Sequence, residues 1–261
     1  MSGRVRDTRW MIRAILWLQV GLAVVLFGSD LLRVLPRLAM PSQAPELDTP
    51  LRPGDQTRRY RPAEIAPRTA PPGTTRPVPA PQDMPSRLLF EAALWEERET
   101  LTLTGTIAPG DAERLEEFLL ARPAPPELVY LNSPGGSVGD ALAIGRRLRG
   151  LEVETRMFGT DICLSACPYL LAAGVARSVE EGAMVGVHQH FFGENRALPA
   201  FLAVEDIQRG QGEVMGYLDE MDVDTRIMRP ALLTPPDEIY LLTEAEMAAF
   251  RLAPYPVPEA E

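Results

Sequence analysis

The sequence is poor in the residues that build metal centres and disulfide frameworks. Its 261 residues hold two cysteines, Cys163 and Cys167, and two histidines, His188 and His190. Two cysteines are too few for a disulfide scaffold and lack the partners of a structural zinc site. The histidines have no evident third ligand. Neither a metal nor another cofactor is therefore expected. Basic residues are also outnumbered: Lys and Arg total 26 against 36 Asp and Glu, a formal net charge of -10. No basic stripe occurs beyond the N-terminus. Phosphate backbones require a basic face, so nucleic acid is not an expected partner. No internal repeat is visible. The one excess is proline, at 26 residues.

The chain opens with Arg4, Arg6, Arg9 and Arg13 against a single Asp7. Residues 14–27 (AILWLQVGLAVVLF) are almost unbroken apolar sequence. A signal peptide has a basic start, an apolar centre and a small-residue cleavage site. A membrane anchor needs about 20 apolar residues to cross the hydrocarbon core. The run 11–28 is slightly short, but Arg13 can snorkel to the headgroups. No A-x-A site follows, and Ser42-Gln43-Ala44 is the nearest candidate. The missing cleavage site favours an uncleaved, single-pass signal-anchor within residues 1–35. Either way the arginines stay inside, so the C-terminal domain is expected outside the cytoplasm, as in a periplasm.

Half of the prolines fall between residues 36 and 85. Proline fixes φ and removes a backbone donor, which excludes helix and central strand. Residues 36–86 therefore read as a semi-extended linker, at about 3.1 Å per residue long enough to hold a domain far from the bilayer. A ligand tract for a proline-binding module is the other reading of this composition.

Residues 87–261 carry the globular pattern. Residues 99–106 (ETLTLTGT) alternate as a strand does, and 111–121 read as an amphipathic helix. A short buried strand at 127–131 leads into the turn cluster 132–136 (NSPGG). Ser137 and Asp140 then open a helix as a capping pair. A strand at 153–158, a helix at 165–174, a strand at 183–188 and a long helix at 200–220 follow. A strand at 238–242 leads to a last helix boxed by Thr243 and Glu246. Strand and helix alternate, so the fold class is α/β.

Three places could carry chemistry. In Ser133-Pro134-Gly135-Gly136, a strand enters and a helix leaves, and paired glycines let backbone N–H groups approach a ligand. The bland reading is an ordinary tight turn. Ser165 sits where a loop becomes a helix. It is either an N-cap or a nucleophile with the N–H of Ala166 beside it. Its neighbours Cys163 and Cys167 are either small buried packing or, in an exported protein, a disulfide bracing the turn. His188 ends a strand one helix and one strand later, where it could activate a nucleophile.

The runs LNSPGGSVGDALAIGRRLR, SACPYLLAAG and VGVHQH, in this order, resemble the proteolytic subunit family of Clp proteases, within the Clp/crotonase superfamily. The likeness spans residues 129–189, and it is closer still to exported Clp-like proteins with a C-x-S-A-C signature. It implies a repeated β-β-α spiral and a serine endopeptidase acting on peptide or protein substrates. It further implies that Ser165 attacks the carbonyl and His188 serves as general base, then acid. The N–H groups of Gly136 and Ala166 would form the oxyanion hole. The family's third member, an aspartate, aligns with Ile239, and a small shift brings Asp237 or Glu238 to that place; Asp237 is the expected residue. Pro168 within the serine's helix departs from the family. The family favours rings, so assembly as a homo-oligomer is an open expectation. Two competing functions remain: a non-catalytic binding or assembly domain on this fold, and a crotonase-like acyl-CoA enzyme, which would need a cytoplasmic thioester.

Overall fold

The computed structural model describes residues 3–39, 42, 44–49, 54–69, 73–190 and 200–253. Gln43 of the nearest cleavage candidate lies outside these described residues. The chain divides into two units, Met1–Gln43 and Ala44–Glu261.

The first unit is helix α1, Gly3–Ala39. Within its stretch Thr8–Ser29 a run of 18 residues reaches a mean hydropathy of 2.0, and none of that run is buried within the protein. By length and composition it is able to cross a membrane. Trp10, Trp17 and Phe27 stand exposed along it, an apolar surface that soluble proteins rarely leave uncovered.

The second unit is mixed α/β with two sheets among the described residues. The first sheet begins with a hairpin of β2 (Leu89–Trp95) and β3 (Arg98–Thr104). Glu96 and Glu97, both at positive φ, make its two-residue turn, the geometry that matches strand twist. The sheet continues in parallel through β4 (Leu128–Asn132), β5 (Glu154–Met157) and β7 (Ala176–Val179). Helices α2 (Asp111–Leu120), α3 (Val138–Gly150) and α4 (Cys167–Ala172) make the crossovers. Every residue of β4 is buried, as in a parallel strand covered on both faces.

The second sheet contains β6 (Ile162–Leu164) and β8 (Met184–Val187) side by side in parallel. Helices α5 (Ala200–Glu220) and α6 (Met228–Leu233) follow. Strand β9 (Glu238–Leu241) then pairs antiparallel with β8, before α7 (Glu244–Ala249). The expected caps are present: Ser137 Oγ accepts from the Asp140 N–H, and Thr243 with Glu246 forms a full capping box. Pro168 lies in the first turn of α4, where the helix has no use for its missing donor.

The proline-rich stretch departs from the expected linker. From Ala44 onward the chain belongs to the folded unit. Strand β1 (Thr57–Arg59) adds to the second sheet, antiparallel to β9, giving the order β1-β9-β8-β6. The physical reason is local. Proline forbids a ladder only at its own position, and the window between Pro53 and Pro62 is free to form a short edge strand. Arginines fasten the rest. Arg58 is fully buried and donates to the carbonyls of Asp55 at 2.8 Å and Thr57 at 2.9 Å. Arg68 donates to the Gly182 carbonyl at 2.7 Å. Arg76 pairs with the buried carboxylate of Asp161 and stacks over Phe158.

The amides of Arg59 and Tyr60 are bonded to the carbonyls of Pro45 and Asp237, at 2.8 and 3.0 Å. Hydrogen exchange at these two amides should therefore run at least about a hundredfold slower than in a free chain. Exchange at the intrinsic rate would return this segment to a linker.

Candidate active site

Parallel pairing of β6 and β8 puts their carboxyl ends on one edge. Ser165 directly follows β6 and His188 directly follows β8, so the register brings them together. The last rung is the Ser165 N–H to the Gly186 carbonyl, at 2.9 Å. Ser165 Oγ and His188 Nε2 are then 2.7 Å apart.

Ser165 has φ 61°, in the left-handed region that costs a residue with a side chain about 1–3 kcal/mol. The capping reading does not hold for it: Ala166 occupies the N-cap of α4, and no side chain caps the helix. The serine hydroxyl is thus not engaged by the helix and faces His188. A disulfide between Cys163 and Cys167 spans this corner, with Cα atoms 5.0 Å apart.

The NSPGG turn approaches from the other side. It follows β4, and Ser133 bridges to Cys163. Ser133 Oγ accepts from the Gly135 N–H at 3.1 Å, and Asn132 Oδ1 from the Ile162 N–H at 3.2 Å. Gly135 lies at φ 100°, and a Cβ there would sit 2.6 Å from that of Ser165 and 2.5 Å from the Leu164 carbonyl. A Cβ on Gly136, at φ 142°, would sit 2.1 Å from the Ile107 carbonyl. Both glycines are required by close approach. Among the described residues, the N–H groups of Gly136 and Ala166 donate to no protein acceptor.

His188 is buried, and burial pushes its pKa down to about 4. The carbonyls of Pro235 and Pro236 favour its protonated form more weakly. Neither reaches Nδ1 with hydrogen-bonding geometry, and Nδ1 is buried without a partner. With the proton of the neutral ring on Nδ1, on the side away from the serine, the carbonyl dipoles of Pro235 and Pro236 act in its favour. Nε2 is left to accept from Ser165.

The structure does not bring the expected carboxylate to this histidine. Asp237 is exposed, and its backbone carbonyl accepts from the Tyr60 N–H. The preceding Pro235-Pro236 pair takes the place beside the imidazole. Ile239 is fully buried in the core cluster of the second sheet. His190 turns instead to the hydroxyl of Tyr169 in α4. Burial, with a smaller contribution from the charge of His188, lowers its pKa to about 4. Among the described residues no cluster of three His, Cys, Asp or Glu side chains could hold a metal ion. A cavity of about 360 Å³ opens elsewhere, lined by Leu47, Ile65, Ile162 and Met184, and none of the site's side chains lines it.

One neighbour was not legible in the sequence. Tyr60 packs its ring on His188, with centroids 4.7 Å apart, and its hydroxyl donates to the Pro134 carbonyl at 2.5 Å. A lone aromatic between arginines in TRRYR was its only signal, masked by the surrounding prolines. No family model matches the chain, and no curated protein matches it. The site therefore rests on its own geometry.

Two outcomes follow. Gly135→Ala should disrupt the Ser165 corner and lower stability by more than about 1 kcal/mol, because both the φ and the contact forbid it; denaturant titration reads this, and an unchanged midpoint would contradict the packing. Both histidines have folded pKa values near 4, below the unfolded value of about 6.5. The unfolded chain thus binds more protons between these limits. Stability should be full above about pH 6.5 and fall as the pH drops towards about 4, by roughly 3 kcal/mol for His188. Unfolding measured in this window on the parent and on His188→Gln should show a smaller loss in the variant.

Proposed function

We propose that the chain is a membrane-anchored serine peptidase of Clp-like kind, working outside the cytoplasm through Ser165 and His188. The observation that carries this reading is the 2.7 Å contact between Ser165 Oγ and His188 Nε2, made by a serine at φ 61°. The order of NSPGG, Ser165 before LLAAG, and His188 after its strand supports a Clp/crotonase-like spiral. The four arginines at the N-terminal end of α1, ahead of the apolar run 14–27, support an inside N-terminus. The Cys163–Cys167 disulfide supports an oxidising compartment.

In this mechanism Ser165 Oγ attacks a peptide carbonyl while His188 Nε2 takes its proton. The carbonyl oxygen becomes an oxyanion that the uncommitted N–H groups of Gly136 and Ala166 are available to receive. As the C–N bond breaks, His188 returns the proton to the leaving amine. Water, deprotonated by the same Nε2, then releases the acyl group and restores the serine. Burial keeps His188 neutral at physiological pH, so it begins each cycle as a base.

A second reading is favoured by one observation. Among the described residues, no carboxylate is hydrogen-bonded to the buried Nδ1 that would carry the imidazolium's second proton, and the carbonyl dipoles of Pro235 and Pro236 lie there instead. A binding or assembly domain that retains the serine and histidine as structure would look the same in this respect.

Labelling of the full-length protein with a fluorophosphonate separates the two. The peptidase reading expects a single adduct on Ser165, absent from Ser165→Ala and reduced by about a hundredfold or more in His188→Ala. Its acid limb should lie well below the ordinary histidine value, because burial depresses His188. No adduct on the folded parent would leave the binding domain. A C-terminal topology reporter tests export: a cytoplasmic signal would sink the compartment assigned here.

A further inference from the structure

We propose that Tyr60, supplied by the segment between the membrane helix and the hairpin, is a positioning residue of the serine site. It holds the His188 imidazole and the 134–136 turn in register, the task a carboxylate performs in a triad. The proposal rests on the reading of Ser165 and His188 as the catalytic pair.

Strand direction makes the argument. In the order β1-β9-β8-β6, β8 and β6 run parallel, β9 runs against β8, and β1 runs against β9. Strands β1, β8 and β6 therefore point the same way. Each is followed at once by a residue of the site: Tyr60 after Arg59, His188 after Val187, Ser165 after Leu164. The three side chains leave one edge of one sheet. The Tyr60 N–H extends this edge by bonding to the Asp237 carbonyl at 3.0 Å.

The contacts of Tyr60 tie the parts of the site to one another. Its ring meets the imidazole at 4.7 Å between centroids, tilted by 60°. Its hydroxyl donates to the Pro134 carbonyl at 2.5 Å, two residues before the Gly136 N–H. The same hydroxyl lies against that of Ser165. His188 needs such support, because Nε2 faces Ser165 and Nδ1 has no hydrogen-bond partner. A ring held by one hydrogen bond is fixed only by what packs on it. Among the described residues, the polar side chains around it are the hydroxyl of Ser165 and the titratable Tyr60 and, at 6.3 Å between centroids, His190. The backbone of Pro235 and Pro236 completes the wall. Tyr60 is itself only 7% exposed, so it also keeps water from the imidazole.

The test uses the full-length protein, with the rate of fluorophosphonate labelling at Ser165 measured across pH for the parent, Tyr60→Phe and Tyr60→Ala. Phenylalanine keeps the ring and loses the bond to Pro134, so labelling should slow by about two- to tenfold. Alanine frees the imidazole, so labelling should slow by about a hundredfold. In the alanine variant the acid limb should also move up towards the ordinary histidine value, because water then reaches His188. A merely structural role would not move that limb. If Tyr60→Ala does not fold, the phenylalanine variant alone decides. Labelling at the parent rate with an unmoved acid limb overturns the proposal and leaves the serine site intact. Faster labelling also overturns it, because Tyr60 is then a cover over the serine. A folded parent that takes no label removes the catalytic reading and the proposal with it.

Discussion

The hydrogen bond from the Ser165 N–H to the Gly186 carbonyl, 2.9 Å long, is the constraint on which the site depends. It closes the parallel ladder of β6 and β8 one residue past the end of β6. Parallel strands place their carboxyl ends on one edge of a sheet, which is where open α/β folds expose chain ends to a ligand. The next peptide must then turn sharply to start α4, and Ser165 absorbs the turn at φ 61°. That conformation has a cost, and the surrounding structure holds it in place: the disulfide between Cys163 and Cys167, and Gly135 packed too closely for any side chain. Local strain held by rigid neighbours is a common property of functional corners.

The second constraint is dryness. Ser165, His188 and Tyr60 are all buried, and burial sets the electrostatics. It keeps the imidazole neutral and leaves Nε2 as an acceptor. It also raises the cost of the imidazolium, since a buried charge needs a partner. A carboxylate would lower that cost, and here carbonyl dipoles stand where it would be. The base is thus always ready and always weak. The balance between these two effects decides how fast the site can act.

The proline-rich segment shows how tertiary contacts overrule composition. Read alone, its prolines forbid regular structure over long stretches. Read against the sheet, three residues free of proline suffice for an edge strand, and buried arginines fasten the flanks. Arg76 with Asp161 is an ion pair largely out of water. Breaking such a pair costs more than an exposed one because it strands a charge. The hydrophobic floor under this segment is small: Tyr60, Ile162, Leu164, Ile239 and Leu241, with Leu47, Ile65, Met84 and Met184 at its margin. Tyr60 is about a hundred residues away in the chain from Ile162, and farther still from Ile239.

The sequence by itself determined everything that depends on near neighbours. The alternation of 99–106, the apolar run of 127–131, the caps at Ser137 and Thr243 and the span of 200–220 all follow from periods of two and 3.6 residues and from local side-chain-to-backbone bonds. Glycines 135 and 136 were legible as a turn, and Ser165 and His188 as residues at element ends. Strands β1 (TRR) and β7 (ARSV) were not, because neither carries an apolar run, and β6 (ICL) was not, because three residues show no period. The bond between Ser165 and His188, the exposed place of Asp237 and the arrival of Tyr60 were decided only by the tertiary structure. Each depends on strand order and direction, and these arise when distant segments compete for the same buried edge, a competition that no window of the sequence contains.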